Sequence, residues 1–187
     1  MKCLRNDLFA LRFLVYAKFM SDPGGSTSSQ LRFSTYASEE SLASIIALVQ
    51  KDLSEPYSVF TYRYFVNIWP TLCEMVHNED GDLVGVVVCK MDDHKSGRKR
   101  GYIGMLAVRA DYRKLKLATK LVQIVLDRMK EMGADECVLE AEVTNLGALG
   151  LYRSLGFLRT KHLHNYYLSG SDAFRLKRIF TPLGVVS

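Results

Sequence analysis

The sequence predicts an α/β domain built on a central mixed sheet flanked by helices, and three patterns support this expectation. Short apolar or alternating runs typical of strands recur between residues 31 and 180. Segments with apolar residues three and four positions apart, typical of helices, lie between these runs. Turn and stop signals separate the two kinds of segment: Asn78-Glu79-Asp80-Gly81 joins two predicted strands, and Pro70 ends a predicted helix.

The predicted elements follow one another along the chain without repeats or an interior linker. We expect strands over residues 31–36, 72–77, 83–91, 102–108, 137–143 and 157–168, with a last strand over 173–180 that completes a hairpin. Helices are expected over 42–53, 57–69, 118–129 and 148–155. Ser38 suits the N-cap of the first helix, and Gly133 suits the C-terminal cap of the third. Residues 94–101 are expected to form a polar loop.

Composition narrows the class of protein. The 187 residues suit one domain, and 48% of them are apolar, enough for a sizeable core. A net charge of +5 favours an acidic partner such as a polyphosphorylated cofactor, a ribosome surface or nucleic acid, without choosing among them. The four cysteines lie far apart, with no CxxC pair, which predicts reduced thiols and a cytoplasmic protein. No apolar run reaches the length of a membrane span.

Residues 1–30 differ from the rest of the chain. Leu4, Leu8, Leu11 and Val15 recur at helical spacing with basic residues between them, and a Ser-rich run follows. This basic amphipathic lead suits a transit peptide, a partner-docking helix or a membrane-surface helix, and equally a loosely attached terminal helix. The sequence does not choose among these. We therefore divide the chain into the lead, a domain over 31–180, and a tail over 181–187.

Residues 102–119 carry the first chemical signal. A predicted strand runs through a short basic loop into a helix, where unpaired backbone N–H groups and the positive end of the helix dipole converge. Arg113, Lys114 and Lys116 add positive charge at this point. The segment therefore suits a phosphate-binding loop. Basic residues before a helix are equally often solvated without a ligand.

The segment Arg113-x-x-Lys116-x-Ala118 resembles the acetyl-CoA signature of the GNAT family, Arg/Gln-x-x-Gly-x-Gly/Ala, except that Lys116 stands where the family has its first glycine. Six ordered segments extend the resemblance over residues 31–180: Leu53-Ser-Glu-Pro-Tyr-Ser58, Tyr62-Arg-Tyr-Phe65, Tyr102 to Val108, Leu139-Glu-Ala-Glu-Val-Thr-Asn145, Leu151-Tyr-Arg-Ser-Leu-Gly-Phe157 and Tyr166-Tyr-Leu168. Together they are similar to the catalytic subunits of NatC-type N-terminal acetyltransferases.

The resemblance implies a GNAT fold whose sheet splits near Val108. It also implies transfer of acetyl from acetyl-CoA, as co-substrate, to the α-amine of nascent protein N-termini. Met followed by a bulky apolar residue is the implied start, and auxiliary NatC-type subunits and work at the ribosome are implied as well. Two alternatives stay open: a lysine or small-amine acetyltransferase, and a non-catalytic GNAT-like binding subunit. Lys116 favours the second alternative, whereas Glu140 and Tyr152 argue against it.

Two acidic residues suit the proton transfer that this chemistry needs. An α-ammonium, with a pKa of roughly 8, must lose a proton before it attacks a thioester. Glu140 and Glu142 alternate with apolar residues along a predicted strand, so both point to one face. By resemblance Glu140 is the general base, with a salt-bridged structural acid as the alternative; Glu142 suits a structural role. By resemblance Tyr152 protonates the departing CoA sulfur, and the alternative is a core tyrosine.

The resemblance also supplies binding residues. Those implied to hold acetyl-CoA lie on the split strand, on the basic loop and at two helix starts: Leu106, Ala107, Val108, Arg113, Lys114, Lys116, Leu117, Ala118, Thr119 and Asn145. Asn145 suits a helix N-cap equally well on local grounds. Those implied to surround the acceptor N-terminus are Glu55, Tyr57, Tyr166 and Tyr167, whose aromatic rings suit a large apolar second residue.

Two other features receive structural interpretations. His162 and His164 lie two apart on a predicted strand, but no third ligand is apparent, so the sequence implies no metal. The basic run of Lys95, Arg98, Lys99 and Arg100 falls in the predicted loop and is expected to be solvated. A contact with ribosomal RNA is the alternative for this run.

Overall fold

The computed structural model describes residues 30–52 and 57–181, in which one mixed sheet runs through the middle of the domain. Its strands are β1 Arg32–Thr35, β2 Cys73–His77, β3 Leu83–Asp93, β4 Lys99–Val108, β5 Glu136–Glu142, β6 Leu158–Leu163 and β7 Ala173–Ile179. The helices are α1 Leu42–Asp52, α2 Val59–Ile68, α3 Leu117–Glu131 and α4 Leu146–Ser154. The spatial order of the strands is β1-β2-β3-β4-β5-β7-β6, and among these seven described strands only β4 and β5 pair in parallel.

The alternating side chains of the central strands build a core on each face of this sheet. On β3, Val86 and Val88 pack with α1 and α2, whereas Val87 and Cys89 pack with α3 and α4. Leu121, Val125 and other residues on the predicted apolar face of α3 are fully buried. The expected α/β architecture is therefore confirmed, and burial on both faces explains why β3 is a nearly continuous apolar run.

Most predicted elements are present, with three differences. The strand expected over 157–168 ends at Leu163, because the chain then turns through Asn165, which has a φ of 48°, before β7 begins. The loop expected over 94–101 is shorter, because β4 already begins at Lys99. Ser38 precedes a 3₁₀ turn, Glu39–Ser41, and its hydroxyl makes no capping hydrogen bond. Gly133 does end α3, with a φ of 83° and a hydrogen bond from its N–H to the Lys130 carbonyl.

The sheet opens between β4 and β5. These strands pair only where Arg100–Tyr102 face Glu136–Val138, so they diverge from Ile103 onward. The register of β4 against β3 also shifts at this point and leaves Gly104 as an extra residue, a β-bulge. A Cβ at Gly104 would lie 2.8 Å from the Phe65 ring, so only glycine fits. The predicted split is present and runs from Ile103 to Val108.

A buried ion cluster fastens the closed end of this split. The Glu136 carboxylate has a side chain only 2% exposed and pairs with Arg100 at 2.6 Å, Lys177 at 3.0 Å and Arg98 at 3.4 Å. Burial alone would raise the pKa of Glu136, but the hydrogen bonds from Lys177 and Arg100 outweigh it and hold that pKa below its usual value. The prediction that Arg98 and Arg100 are solvated is therefore wrong, because β5 presents a carboxylate to both.

Several predictions concern segments that lie outside the described residues. The N-terminal lead, apart from Gln30, is one of them, and so are Glu55 and the tail beyond Thr181. Among the described helices, none combines the length and apolar character that crossing a membrane requires.

We expect Glu136→Gln to lower the free energy of unfolding by about 3–5 kcal/mol, because three cations would lose their shared buried counter-charge. Glu39→Gln, which breaks an exposed pair with Arg63, should cost less than about 1 kcal/mol. Urea unfolding of both variants measures the difference. Equal losses in the two variants would contradict the role of the cluster.

The same cluster predicts a pH dependence of stability. A carboxyl group whose folded pKa is lowered contributes stability above the pKa of an unfolded glutamate, about 4.3. That contribution is lost as the pH falls through the lower folded pKa of Glu136. Unfolding curves between about pH 3 and pH 7 should therefore converge for wild type and Glu136→Gln at the acid end.

Candidate active site

Glu140 lies on β5 at the edge of the opening, and its carboxylate is held from two sides. The Tyr102 hydroxyl on β4 donates to Oε2 at 2.9 Å, and Nε of Arg175 on β7 donates to Oε1 at 2.7 Å. Arg175 is the cross-strand partner of Glu140 in the antiparallel β5–β7 pair. The side chain of Glu140 is only 5% exposed. Glu140 is therefore salt-bridged, as expected if its role were structural, but it also lines a cavity.

The cavity beside Glu140 has a volume of about 540 Å³. Tyr102, Val138 and Arg175 line it together with Glu140, and so do charged residues of β3 and the following turn. Glu140 is thus one of the residues that line open space on this face of the sheet. Sequence reasoning missed Tyr102 and Arg175 as site residues. Local periodicity carries no signal for them, because both contacts depend on pairing between distant strands.

The tyrosines expected around the acceptor converge on the same acid. Burial raises the pKa of Tyr167, and the charges of Tyr166, Tyr57 and Glu140 raise it further. Burial and Glu140 likewise raise the pKa of Tyr166, whose ring meets that of Tyr167 edge-on at 5.2 Å. The β6–β7 connection thus brings Tyr166 and Tyr167 near Glu140, and their role around the acceptor stays a prediction.

Tyr152 lies on the inner face of α4, 6% exposed, with its ring edge-on to Phe157 at 5.5 Å. Burial raises the pKa of its hydroxyl, and Cys89, Cys137 and Tyr167 raise it further. A phenol with a raised pKa keeps its proton at neutral pH. Tyr152 packs in the core on the α3–α4 face of the sheet with Leu139 and Ala141, whereas Glu140 points to the other face of β5.

The loop between β4 and α3 holds two lysines in the left-handed region. Lys114 has a φ of 66°, and Lys116, the N-cap of α3, has a φ of 59°. Lys116 therefore takes the backbone conformation for which glycine is preferred, at a cost of about 1 kcal/mol. Nε of Arg113 donates to the Val108 carbonyl at 3.2 Å and ties the loop to the end of β4.

This loop fits a polyphosphate. The side chains of Arg113, Lys114 and Lys116 are exposed around the N-terminus of α3, where the first backbone N–H groups lack helical partners. The helix begins with the remaining predicted loop residues, of which Leu117 is buried and Ala118 and Thr119 are half-buried. Leu106, Ala107 and Val108 lead into the loop along the diverging part of β4.

Two further sequence interpretations have a structural outcome. Oδ1 of Asn145 accepts a hydrogen bond from the Ala148 N–H at 3.0 Å, which confirms the N-cap. Its contact with the pantetheine arm stays a prediction. No third ligand for His162 and His164 is apparent in the sequence, but the residue before β7, Asp172, lies within 3.0 Å of both. Sequence spacing carries no signal for this contact.

Comparison with known proteins identifies the family. The model of the acetyltransferase (GNAT) family matches residues 42–157. The chain is 49% identical over 163 residues to "N-alpha-acetyltransferase MAK3" of Arabidopsis thaliana, covering 87% of this chain and 85% of that one. The chain belongs to the GNAT family and, within it, to the N-alpha-acetyltransferases. Identity to "N-alpha-acetyltransferase 30" of Homo sapiens is 51% over 149 residues, 79% of this acetyltransferase but 40% of the human protein.

Solved structures agree with this placement. The NatC complex bound to Gag peptide and CoA contains a chain that matches this acetyltransferase with a TM-score of 0.79 and 44% identity, covering 81% of this chain and 99% of that one. Arabidopsis thaliana Naa50 in complex with a bisubstrate analogue shares the fold, with a TM-score of 0.72 at 23% identity, covering 80% of this chain and 99% of that one. Acetyl-CoA is the acetyl donor of GNAT acetyltransferases, and the loop before α3 fits its phosphates.

The conformation of Lys116 generates a prediction for this acetyltransferase. Lys116→Gly should raise the free energy of unfolding by up to about 1 kcal/mol, because glycine adopts a positive φ without strain. Its affinity for acetyl-CoA should change by less than about tenfold and become less sensitive to salt, because a cation near the phosphates is lost. Lys116→Gln is the matched control, since it loses the charge but keeps the strain. Titrations at low and high ionic strength measure both effects.

Much tighter acetyl-CoA binding by Lys116→Gly at both ionic strengths would contradict the expectation that the lost charge and the relieved backbone strain offset each other. A wild-type protein that binds no acetyl-CoA would instead favour a non-catalytic subunit.

Proposed function

We propose that this acetyltransferase acetylates the α-amine of protein N-termini that begin with Met followed by a bulky apolar residue. The observation that carries the proposal is the position of Glu140, whose carboxylate lines an open cavity beside a wall of tyrosines. Membership among the N-alpha-acetyltransferases supports the acceptor, and the NatC relative, bound to a peptide and CoA, supports a peptide substrate.

Glu140 acts as the general base in this proposal. Tyr102 and Arg175 hold its two oxygens in fixed directions, so the carboxylate needs little reorientation when an α-ammonium approaches. It then takes the proton of the amine, directly or through a water molecule, and frees the nitrogen lone pair for attack. The bound acetyl-CoA supplies an activated acetyl group as a thioester. Backbone groups of β4 beyond Tyr102 suit the stabilisation of the negative charge that develops on the carbonyl oxygen.

Tyr152 supplies the proton that the leaving sulfur needs. Burial raises the pKa of this phenol, so it carries its proton at neutral pH. Base and acid are carried by different elements, β5 and α4. We assign cofactor binding to the loop and strand residues predicted above, and assign Tyr57, Tyr166 and Tyr167, with Glu55, to the acceptor.

The proposal includes partners and location. The solved NatC complex supports auxiliary subunits for this acetyltransferase as well. We also propose a cytoplasmic site of action at the ribosome, where N-termini emerge. Of the basic residues between 95 and 100, Lys95 is exposed and suits a contact with the ribosome. Arg98 and Arg100 suit it less, because both pair with Glu136. A lysine or small-amine acetyltransferase is the alternative, and indifference to peptide sequence would favour it.

The role of Glu140 is tested by Glu140→Gln. We expect kcat/KM to fall by about 10²–10⁴, because the amide cannot accept the proton, while acetyl-CoA binding is retained. Glu142→Gln is the matched control, since Glu142 lies on the same face two residues further along β5. It should stay close to wild-type activity. A Glu140→Gln enzyme within about twofold of wild type would remove Glu140 from the mechanism.

The acceptor is tested with a set of peptides. Those beginning Met-Leu or Met-Phe should be acetylated about tenfold to a hundredfold better than those beginning Met-Glu, Ser or Ala, because burial of a leucine side chain yields about 1.5–3 kcal/mol. The rates are measured with and without auxiliary subunits. Equal rates on Met-Leu and Met-Glu peptides, both with and without those subunits, would refute the proposed specificity.

A further inference from the structure

The hairpin of β6 and β7 carries a cluster of three polar side chains outside the catalytic centre, formed by His162, His164 and Asp172. Nε2 of His162 lies 2.8 Å from Oδ2 of Asp172, and Nδ1 of His164 lies 3.0 Å from the same oxygen. The two imidazole rings are 4.2 Å apart between centroids. Two rings thus direct a nitrogen at one carboxylate oxygen, although nothing in the sequence brings Asp172 to them.

These atoms have the chemistry and spacing of a metal site. Imidazole nitrogens and a carboxylate oxygen are ordinary zinc ligands, and donors around a tetrahedral zinc ion lie about 3.3 Å apart, given bonds of about 2.0–2.1 Å. The three candidate ligand atoms here lie within 4.8 Å of one another. Small side-chain rotations therefore suffice to enclose an ion. With neutral imidazoles the cluster has one negative charge, which favours a divalent cation.

The surrounding structure orients the cluster and leaves it accessible. Oδ1 of Asp172 accepts a hydrogen bond from the Asn165 N–H at 2.9 Å, so Oδ2 is the oxygen that faces the imidazoles. A hydrogen-bonded carboxylate ligand of this kind is typical of metal sites. The His162 ring packs on Phe174 at 5.0 Å. The side chains of His162 and His164 are 44% and 73% exposed, which leaves room for an ion to enter and keep water.

We propose that the β6–β7 hairpin binds one divalent ion of the zinc class through His162 Nε2, His164 Nδ1 and Asp172 Oδ2, with water completing the coordination. The ion replaces the hydrogen bonds that now join the imidazoles to the carboxylate. It takes no part in acetyl transfer. Because it links the end of β6 to the chain just before β7, it restrains the intervening turn that carries Tyr166 and Tyr167. Its effect on catalysis therefore rests on the acceptor role proposed for those tyrosines.

The site is tested with the untagged full chain and ZnCl₂ in isothermal titration calorimetry, and with CoCl₂ in visible absorption. We expect one ion per chain and the d–d band of a low-coordinate cobalt site. His162→Gln and Asp172→Asn should each weaken zinc binding at least about tenfold. Loss of a residue that merely hydrogen-bonds to a metal ligand already lowers metal affinity by about that factor. His94→Gln and Cys3→Ser are the controls and should bind as the wild type does.

Circular dichroism melts show whether each variant is folded, and zinc should raise the Tm of the wild type but not of His162→Gln. If Asp172→Asn does not fold, His164→Gln replaces it, because His164 is the most exposed of the three. Absence of saturable zinc binding by the wild type overturns the proposal. Binding that persists unchanged in the folded histidine variants overturns it as well.

The effect on the acceptor wall has a separate readout. Zinc should change the KM for a Met-Leu peptide in the wild type and leave it unchanged in His164→Gln, relative to the same protein with a chelator. Zinc binding without any change in KM would leave the site in place and refute the restraint on the tyrosines. Calorimetry does not require activity, so failure of the proposed acetylation does not affect the test of the site.

Discussion

The short parallel pairing of β4 with β5 is the constraint on which the rest of the site depends. The two strands are joined only through Arg100–Tyr102 and Glu136–Val138, and the buried carboxylate of Glu136 fastens that end with Arg100 and Lys177. Continued pairing would close the gap beside Glu140, the proposed base. The Glu136 clamp adds buried side-chain contacts to this short backbone pairing. The bulge at Gly104 begins the divergence where the clamp ends.

Strand β5 uses one side-chain type for two purposes. Glu136 and Glu140 lie four residues apart on the same face, because strand side chains alternate. Glu136 is enclosed by three cations and serves the fold. Glu140 has the Arg175 guanidinium and the Tyr102 hydroxyl, and a cavity on its remaining side. The difference in partners, rather than in burial, separates the structural acid from the proposed base.

The loop before α3 keeps a glycine-type backbone conformation although a lysine stands where the family has glycine. Lys114 and Lys116 both take positive φ values, although an L-residue prefers to avoid them. The hydrogen bond from Arg113 to Val108 and the burial of Leu117 fix both ends of the loop, so the fold imposes the conformation on the lysines. Strain of this kind is typical of functional loops, where the surrounding structure determines the backbone.

The sequence by itself determined the α/β class, most strands and helices, the basic loop before α3, the N-cap at Asn145 and the shared face of Glu140 and Glu142. Each of these follows from interactions between residues close in the chain, which periodicity and capping rules describe. The tertiary structure alone decided the partners of these groups. Tyr102 and Arg175 reach Glu140 across neighbouring strands, and Asp172 reaches His162 across the hairpin. Such contacts depend on strand order and register, which long-range packing sets and local patterns do not encode.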